Sequence, residues 1–551
     1  MKPMKLFRVV CLVAVTALLA ASGVFAQGTV ITLLHVNDTH SHLDATGPKD
    51  AALNGTIGGM AKAATVIGTE RAAAGQNVLL LHAGDVFHGD LFFNRYFGIP
   101  EFRMMQQLGF DAMAVGNHEF DLGPDTLAWS LATAFGAPPS PLPLLSANLA
   151  FPDNSLLRPW IDNSIIKNVG GVTVGIFGMT VPGVPTTNSG DVTILGADNA
   201  ALLFGIAAQE MAALRGAGAK VVICLSHLGI LYDRALAANV PGIDLIVGGH
   251  DHYAFEQPIS VANPGGTQTL IVQAGDHYRD VGRLRFSVEG DAFRMIDYAL
   301  LPVDAKVPAA PGLQAAVDEL KAGIVAQYGD VYRTVLASAE KDLGTTTDPD
   351  RRKRDSAMGN LITDALRHRT RTDIAITANG LISEGITAGP IVGADIFRPV
   401  SYGYDPQTGL GLKLATFDIR GVELVKGLEI GLAYLGINED FFLQVSGMRF
   451  RYDSTRPPGS RVLPDTIHIG GHRFSPTATY SVTVNEGLAF LLPRMGLQVT
   501  NLTALPDLEY IVLRDYVTRL GTLDTGSQGR IMDEGIDPGK QGKHEKHEKD
   551  H

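Results

Sequence analysis

Residues 110–123 read FDAMAVGNHEFDLG. The run 112–115 is apolar and too short for a helix, while the residues after it crowd Asn117, His118, Glu119 and Asp121 into a turn-like stretch. Four such side chains are costly to bury unless they find partners. A brief apolar run that breaks off into polar residues has the form of a buried strand whose following loop faces a cleft. The form recurs in TVITLLHVND (29–38), NVLLLHAGD (77–85), VTVGIFGMT (172–180), KVVICLSHLG (220–229) and IDLIVGGHDH (243–252). Ala-rich segments of helical character, such as 58–75 and 200–218, lie between several of these runs. Strand followed by helix, repeated, predicts an α/β fold with a buried sheet. Polar residues just past the strand ends then converge on one edge, where ligands bind.

Collected in order, those strand ends carry Asp38 and His40, Asp85, Asn117 and His118, His227, and His250 with His252. Each alone reads as a hydrogen-bonded structural residue. Five such places in one α/β unit, nearly all beside a glycine, are hard to explain by packing. Mixed oxygen and imidazole donors suit Zn, Mn, Fe or Co better than Ca or Mg. There are too many donors for one tetrahedral ion, and a pair of divalent ions sharing a carboxylate uses them all. Ion pairs about 3.5–4 Å apart clamp a phosphoryl group and generate a hydroxide nucleophile.

The ordered set D-x-H, G-D, G-N-H-E, S-H and G-H-x-H resembles the calcineurin-like metallophosphoesterase superfamily. The finer forms HVNDTHSHL, GNHEFDLG, LSANL, SHLG and GGHDH resemble its secreted 5′-nucleotidase family, over about residues 30–530. That resemblance implies a metallophosphoesterase β-sandwich flanked by helices, with a second α/β substrate-recognition domain joined by a helix. It implies that Asp38, His40 and His252 bind one metal ion, that Asp85 bridges, and that Asn117, His227 and His250 complete the second site. It further implies that His118 lies beside the phosphate, oriented by Asp121. Glu119 has no assigned role. His42, His82 and His88 sit beside ligands and support or merely pack, and His277 in QAGDHYRDVGRL (273–284) reads as structural.

In that family the C-terminal domain selects substrate, with two aromatic rings around the base and arginines on phosphate and ribose. RDSAMGNLITDAL (354–366) fits the family's helix. TANGLISEGI (377–386) stands where relatives read N-x-G-G-I-R: Asn379 and Gly380 are kept, and Ser383 is read at the arginine. Tyr402 and Tyr404 in ADIFRPVSYGYDP are the nearest aromatics to the first stacking position. Phe490 stands near the second and reads as a core residue. Arg351, Arg352 and Arg354 precede the helix and read as a solvated basic run or, alternatively, as anion contacts facing the cleft. These changes predict shallow nucleotide selectivity on an intact hydrolytic site.

The chain has 551 residues, enough for two large domains. A formal charge of −12 argues against a nucleic-acid polymer as partner. Residues 1–26 combine a basic start, an apolar run too short for a comfortable membrane span, and small residues Val24 and Ala26, and so read as a signal peptide. Its removal takes Lys2, Lys5 and Arg8 and leaves −15. The expected protein is therefore exported, periplasmic or secreted, with no stable membrane insertion. Only Cys224 survives processing, so no intrachain disulfide is possible, and VVICLSH reads as core. The expected boundaries are 28–305 for the metallophosphoesterase domain, 306–338 for a linker helix and 339–535 for the substrate domain. A His-rich tail without apolar periodicity, expected to be disordered, follows over 536–551. The leading reading is a two-metal hydrolase of nucleotides or related small phosphoesters. The alternatives are a same-fold hydrolase of cyclic nucleotides, nucleotide sugars or a sulfur ester, and an exported binding protein without turnover.

Overall fold

The computed structural model describes residues 28–184, 187–347 and 351–536. The expected leader and all but the first residue of the expected tail lie outside the described residues. The first unit is a sandwich of two mixed sheets. One has seven strands, in the order Ala292–Pro302, Asp280–Glu289, Thr29–Val36, Val78–His82, Ala112–Ala114, Leu144–Leu145, Ile161–Asp162. The other has six, in the order Ile259–Ala262, Gln268–Val272, Leu245–Val247, Val221–His227, Val172–Thr180, Ser164–Val169. The central pairings in both are parallel; antiparallel strands close both edges of the six-stranded sheet and one edge of the seven-stranded sheet, whose other edge strand, Ile161–Asp162, is parallel.

Strand periodicity explains why the runs are apolar throughout. Ile31, Leu33, Leu79 and Leu81 point into the layer between the sheets, where they meet Val221, Ile223 and Leu225. The residues between them, Leu34 and Leu80, face the outer helices, as do Val222 and Cys224 on the opposite sheet. A strand buried on both faces cannot alternate apolar with polar. Cys224 is thus a fully buried core thiol, as its surroundings in the sequence predicted.

The connecting helix, Pro311–Tyr328, starts on proline at its first turn and packs on helices Met60–Ala74 and Leu91–Tyr96 of the first unit. Strand Val335–Ala339 already pairs with Gly389–Val392 and Thr522–Leu523, so it belongs structurally to the second unit. That unit centres on a five-stranded sheet, in the order Leu443–Ser446, Ile374–Ala378, Thr479–Asn485, Lys413–Arg420, Val499–Leu508. Helix Ala357–Thr370 covers it and is capped by Ser356, whose hydroxyl accepts from Gly359 N at 3.0 Å. One apolar cluster runs from Leu91 and Phe102 through Leu313, Val317 and Ile324 into Ile391, Phe397 and Leu513. The two units therefore share a core rather than merely touch. Among the described residues no helix is long and apolar enough to cross a membrane.

Candidate metal centre

The parallel strands of both sheets deliver their loops to one edge of the sandwich. There Asp38, His40 and His252 bring donor atoms within 4.8 Å of one another, and Asp85, His227 and His250 do the same. Glycine makes the approach possible: a Cβ on Gly116 would lie 2.1 Å from Asp85 Oδ1. Asp38, His40, Asp85, His250 and His252 all hold positive φ angles, between 46° and 78°. Non-glycine residues in that region are strained and cluster where the surroundings impose function.

Hydrogen bonds fix which atom each ring presents. His227 Nδ1 lies 2.7 Å from Ala83 O, and His40 Nδ1 lies 3.0 Å from Phe87 O. Each ring donates there and turns its Nε2 toward the cleft. His40 Nε2 then faces His252 Nε2 at 3.1 Å, close enough for a hydrogen bond when His252 carries the proton and for a shared cation when it does not. Asn117 Oδ1 and His227 Nε2 are buried without a hydrogen bond, although Asp85 Oδ2 lies 2.9 Å from the latter. Buried polar atoms without partners are uncommon. Mixed carboxylate, imidazole and amide donors, orphaned and convergent, fit divalent transition ions.

The charges agree. Burial pushes Asp38 up to about 6. Burial opposes charge on His227, yet Asp85 and then Asp38 outweigh it and push the ring up to about 10. His252 rises to about 9, with burial outweighed by Asp38 and Asp276. The site thus draws in positive charge, as protons or as metal.

His118 stands at the rim. Its Nδ1 lies 2.8 Å from Asp121 Oδ2, and its backbone N–H donates to Asp85 Oδ1 at 2.9 Å. Burial disfavours the charged ring, but Asp121 and then Asp85 prevail and push it up to about 9. Glu119, for which the sequence suggested no role, is the hidden scaffold. Its carboxylate accepts from the backbone N–H groups of Asp85, Val86, Phe87 and Gly116, at 2.6–3.2 Å. It ties the loop that carries Asp85 to the loop that carries Asn117. His82 bridges Thr39 (2.9 Å) and Gly84 N (3.1 Å) and is likewise structural.

A third histidine–carboxylate group has a different character. His42 and His277 stack at 3.8 Å and 20° against Glu384, whose Oε1 accepts from Arg279 Nη2 at 2.8 Å. Near-parallel rings cannot both aim an in-plane lone pair at one ion, and an arginine already holds the carboxylate. Burial is outweighed by His42, His277 and Arg398, and Glu384 is held well below the usual carboxylate range. The trio ties the first unit to the second.

Glu384 also corrects the sequence reading. Counted along N-x-G-G-I-R from Asn379, the arginine's place falls on Glu384, not Ser383. Glu384 is a carboxylate that a first-unit arginine, Arg279, neutralises. Asn379 accepts from Gln444 Nε2 at 2.9 Å, and Gly380 packs against Asp440. Tyr402 stacks on His88 at 4.1 Å, and Tyr404 lies 5.4 Å from Phe97. Phe490 is not a core residue: it is 60% exposed, with Arg494 over its ring. The basic run is not simply solvated either, since Arg354 is buried and pairs with Glu439 at 2.8 Å, and Arg352 pairs with Glu534.

Comparison with known proteins places this arrangement. Residues 31–254 match the calcineurin-like phosphoesterase family, and residues 335–490 match the 5′-nucleotidase C-terminal domain. The structure of a 5′-nucleotidase precursor from Thermus thermophilus is 30% identical, covering 92% of this chain and 99% of that one, with a TM-score of 0.78. A 5′-nucleotidase from Bos taurus is 29% identical over 479 residues, 79% of this chain and 77% of that protein. The trifunctional nucleotide phosphoesterase protein YfkN of Bacillus subtilis is 29% identical over 468 residues, 79% of this chain but only 30% of that protein. The sulfate thiohydrolase SoxB of Thermus thermophilus shares the fold at 22% identity, with a TM-score of 0.73 over 92% of this chain and 97% of that one. Fold and site define a metal-dependent phosphoesterase. The chain belongs to the 5′-nucleotidase family.

Proposed function

We propose that the protein is an exported two-metal phosphoester hydrolase of the 5′-nucleotidase type, releasing phosphate from nucleotides or related small phosphoesters. Asp38, His40 and His252 would hold one ion, Asn117, His227 and His250 the other, with Asp85 shared. The ions would supply Lewis acidity toward phosphoryl oxygens and make water a competent nucleophile at neutral pH. The chain's own groups do the rest. Asp121 holds Nδ1 of His118, so the other ring nitrogen is presented with a proton to meet negative charge as it develops on the phosphoryl group. Glu119 keeps Asp85 and Asn117 in register. The expected signal peptide supports export.

The observation that carries this reading is the convergence of two donor groups, Asp38 with His40 and His252 and Asp85 with His227 and His250, together with a buried Asn117 Oδ1 that has no hydrogen bond. The test is phosphate release by the metal-loaded chain from AMP, p-nitrophenyl phosphate and bis-p-nitrophenyl phosphate. Turnover of the two monoesters is expected, and turnover of none overturns the reading. A specific observation favours a second reading, in which the same site cleaves a diester or a sulfur ester instead. Glu384 stands where the family carries arginine, and Tyr402 is packed on His88 rather than left open. Hydrolysis of the diester alone would support that reading.

A further inference from the structure

Three rings pack as a triangle across the boundary between the two units, with Tyr402 also 5.7 Å from His118 at 46°. Tyr402 of the second unit stacks on His88 of the first at 4.1 Å and 28°, and His88 stacks on His118 at 5.0 Å and 19°. His88 Nε2 lies 3.4 Å from both Ser383 Oγ and Ser401 Oγ, and the two hydroxyls are 3.1 Å apart. All of these partners except His118 come from the second unit. The His88 side chain is 3% exposed, and its backbone φ is 72°. A buried, strained residue persists where its surroundings over-determine it. Its Nδ1 is 3.9 Å from Asp121 Oδ2, too far for a hydrogen bond. The Asp121 carboxylate is thus committed to His118, which it holds edge-on at 2.8 Å while His88 holds the ring face.

We propose that His88 is a positioning residue: pinned by Ser383, Ser401 and Tyr402, it fixes the plane of His118, so that docking of the second unit sets the geometry of the reacting site. This rests on the reading of His118 as the group that meets phosphoryl charge. It gives Tyr402 a task separate from contacting a nucleobase. Displacement of a reacting group by about 1 Å costs roughly 10²-fold in rate, so a loosened ring cluster should be visible in turnover.

The test uses the metal-loaded full chain with two substrates, AMP and p-nitrophenyl phosphate, of which only the first has a base. Tyr402→Leu is expected to lower kcat by about 10–10²-fold for both substrates, with KM and metal content unchanged. Tyr402→Phe, which keeps the ring, is expected to restore kcat. In a His118→Asn background, Tyr402→Leu is expected to change turnover by less than about twofold, because groups that act as a unit are not additive. The double variant Ser383→Ala, Ser401→Ala keeps every ring and is expected to show the same kcat signature at smaller scale. It carries the test if Tyr402→Leu fails to fold. A loss confined to KM for AMP would overturn the inference, as would an undiminished loss in the His118→Asn background. A wild-type chain that hydrolyses neither ester would overturn the functional reading itself, before any variant is compared.

Discussion

The two faces that meet at the cleft are built on opposite principles. On the first unit, polar atoms are buried and left wanting: Asn117 Oδ1 and His227 Nε2 lack hydrogen bonds, and two imidazole nitrogens confront each other at 3.1 Å. On the second, charge is already matched within the protein. Glu384 is engaged by Arg279 and His42, Arg354 by Glu439, and Asn379 by Gln444. Arg398 bonds Asp90 at 2.7 Å and Asp395 at 3.0 Å. Buried polar atoms without partners are uncommon, and where they converge with charged donors they invite a ligand from outside the chain. A satisfied set is scaffold. The difference locates ligand affinity on the first face and domain cohesion on the second.

The strongest way to break this contrast is Asp85→Ala. Without the shared carboxylate, two dications a few ångströms apart repel. Loss of both ions is expected, with turnover falling by roughly 10³-fold or more. Elemental analysis after dialysis checks it, and retention of two ions per chain would show that Asp85 is not shared. Next comes His118→Asn, expected to keep the metals while lowering turnover by about 10²–10⁴-fold. If metal is lost instead and activity per bound ion is unchanged, His118 is a ligand. Third is Glu119→Ala, which strands four buried N–H groups. A destabilisation of about 3 kcal/mol or more is expected, read by denaturant unfolding. A change within error would mean that Glu119 does not brace the two loops.

The second unit offers a pH test. Glu509 is buried with Asn485 Nδ2 at 2.9 Å, and burial pushes its carboxyl up to about 7 from 4.5. Between those values the native state holds a proton that the unfolded chain has released. Stability therefore falls as pH rises through that window, and the deficit persists above it. Glu509→Gln is expected to remove this component, so that the variant gains on the wild type, by about 1–3 kcal/mol, between pH 5 and pH 8. Parallel unfolding curves for the two chains across that range would refute it. The smallest effect sharpens the contrast at the cleft itself. Because the second face is already satisfied, kcat/KM for AMP over p-nitrophenyl phosphate should differ by less than roughly 10²-fold, where two intact ring stacks and an arginine would give more than about 10³-fold.

The candidate ligands were legible because strand ends declare themselves: an apolar run followed by Asp, His or Asn marks both position and chemistry. Asp38, His40 and His252 come together, as do Asp85, His227 and His250. The sandwich was legible for the same reason, since runs such as VLLLH and VVICLSH have no polar face to show solvent. Glu119 was not, because its partners are backbone N–H groups, which leave no trace in residue type. Glu384 was misplaced because an altered motif loses the landmarks that fix its register. Phe490 was read as core because a phenylalanine near an apolar run looks buried, yet helix Glu486–Leu491 turns that position outward. His88 and Tyr402 could not be paired from sequence, since they lie more than 300 residues apart and meet only when the units dock.

The apolar cluster that passes from Phe102 through the connecting helix to Leu513 has a consequence for how the chain acquires its shape. The helical layer of the first unit is left with a raw hydrophobic flank until residues near the far end of the polypeptide arrive to cover it. Part of the nucleus that stabilises one half is therefore stored in the other, and neither half owns its full folding free energy. Contacts of such long sequence separation form late and slowly, so a nascent first unit would carry a sticky surface through most of its synthesis. Cooperative melting of the pair, rather than two independent modules on a string, is the thermodynamic signature of that arrangement.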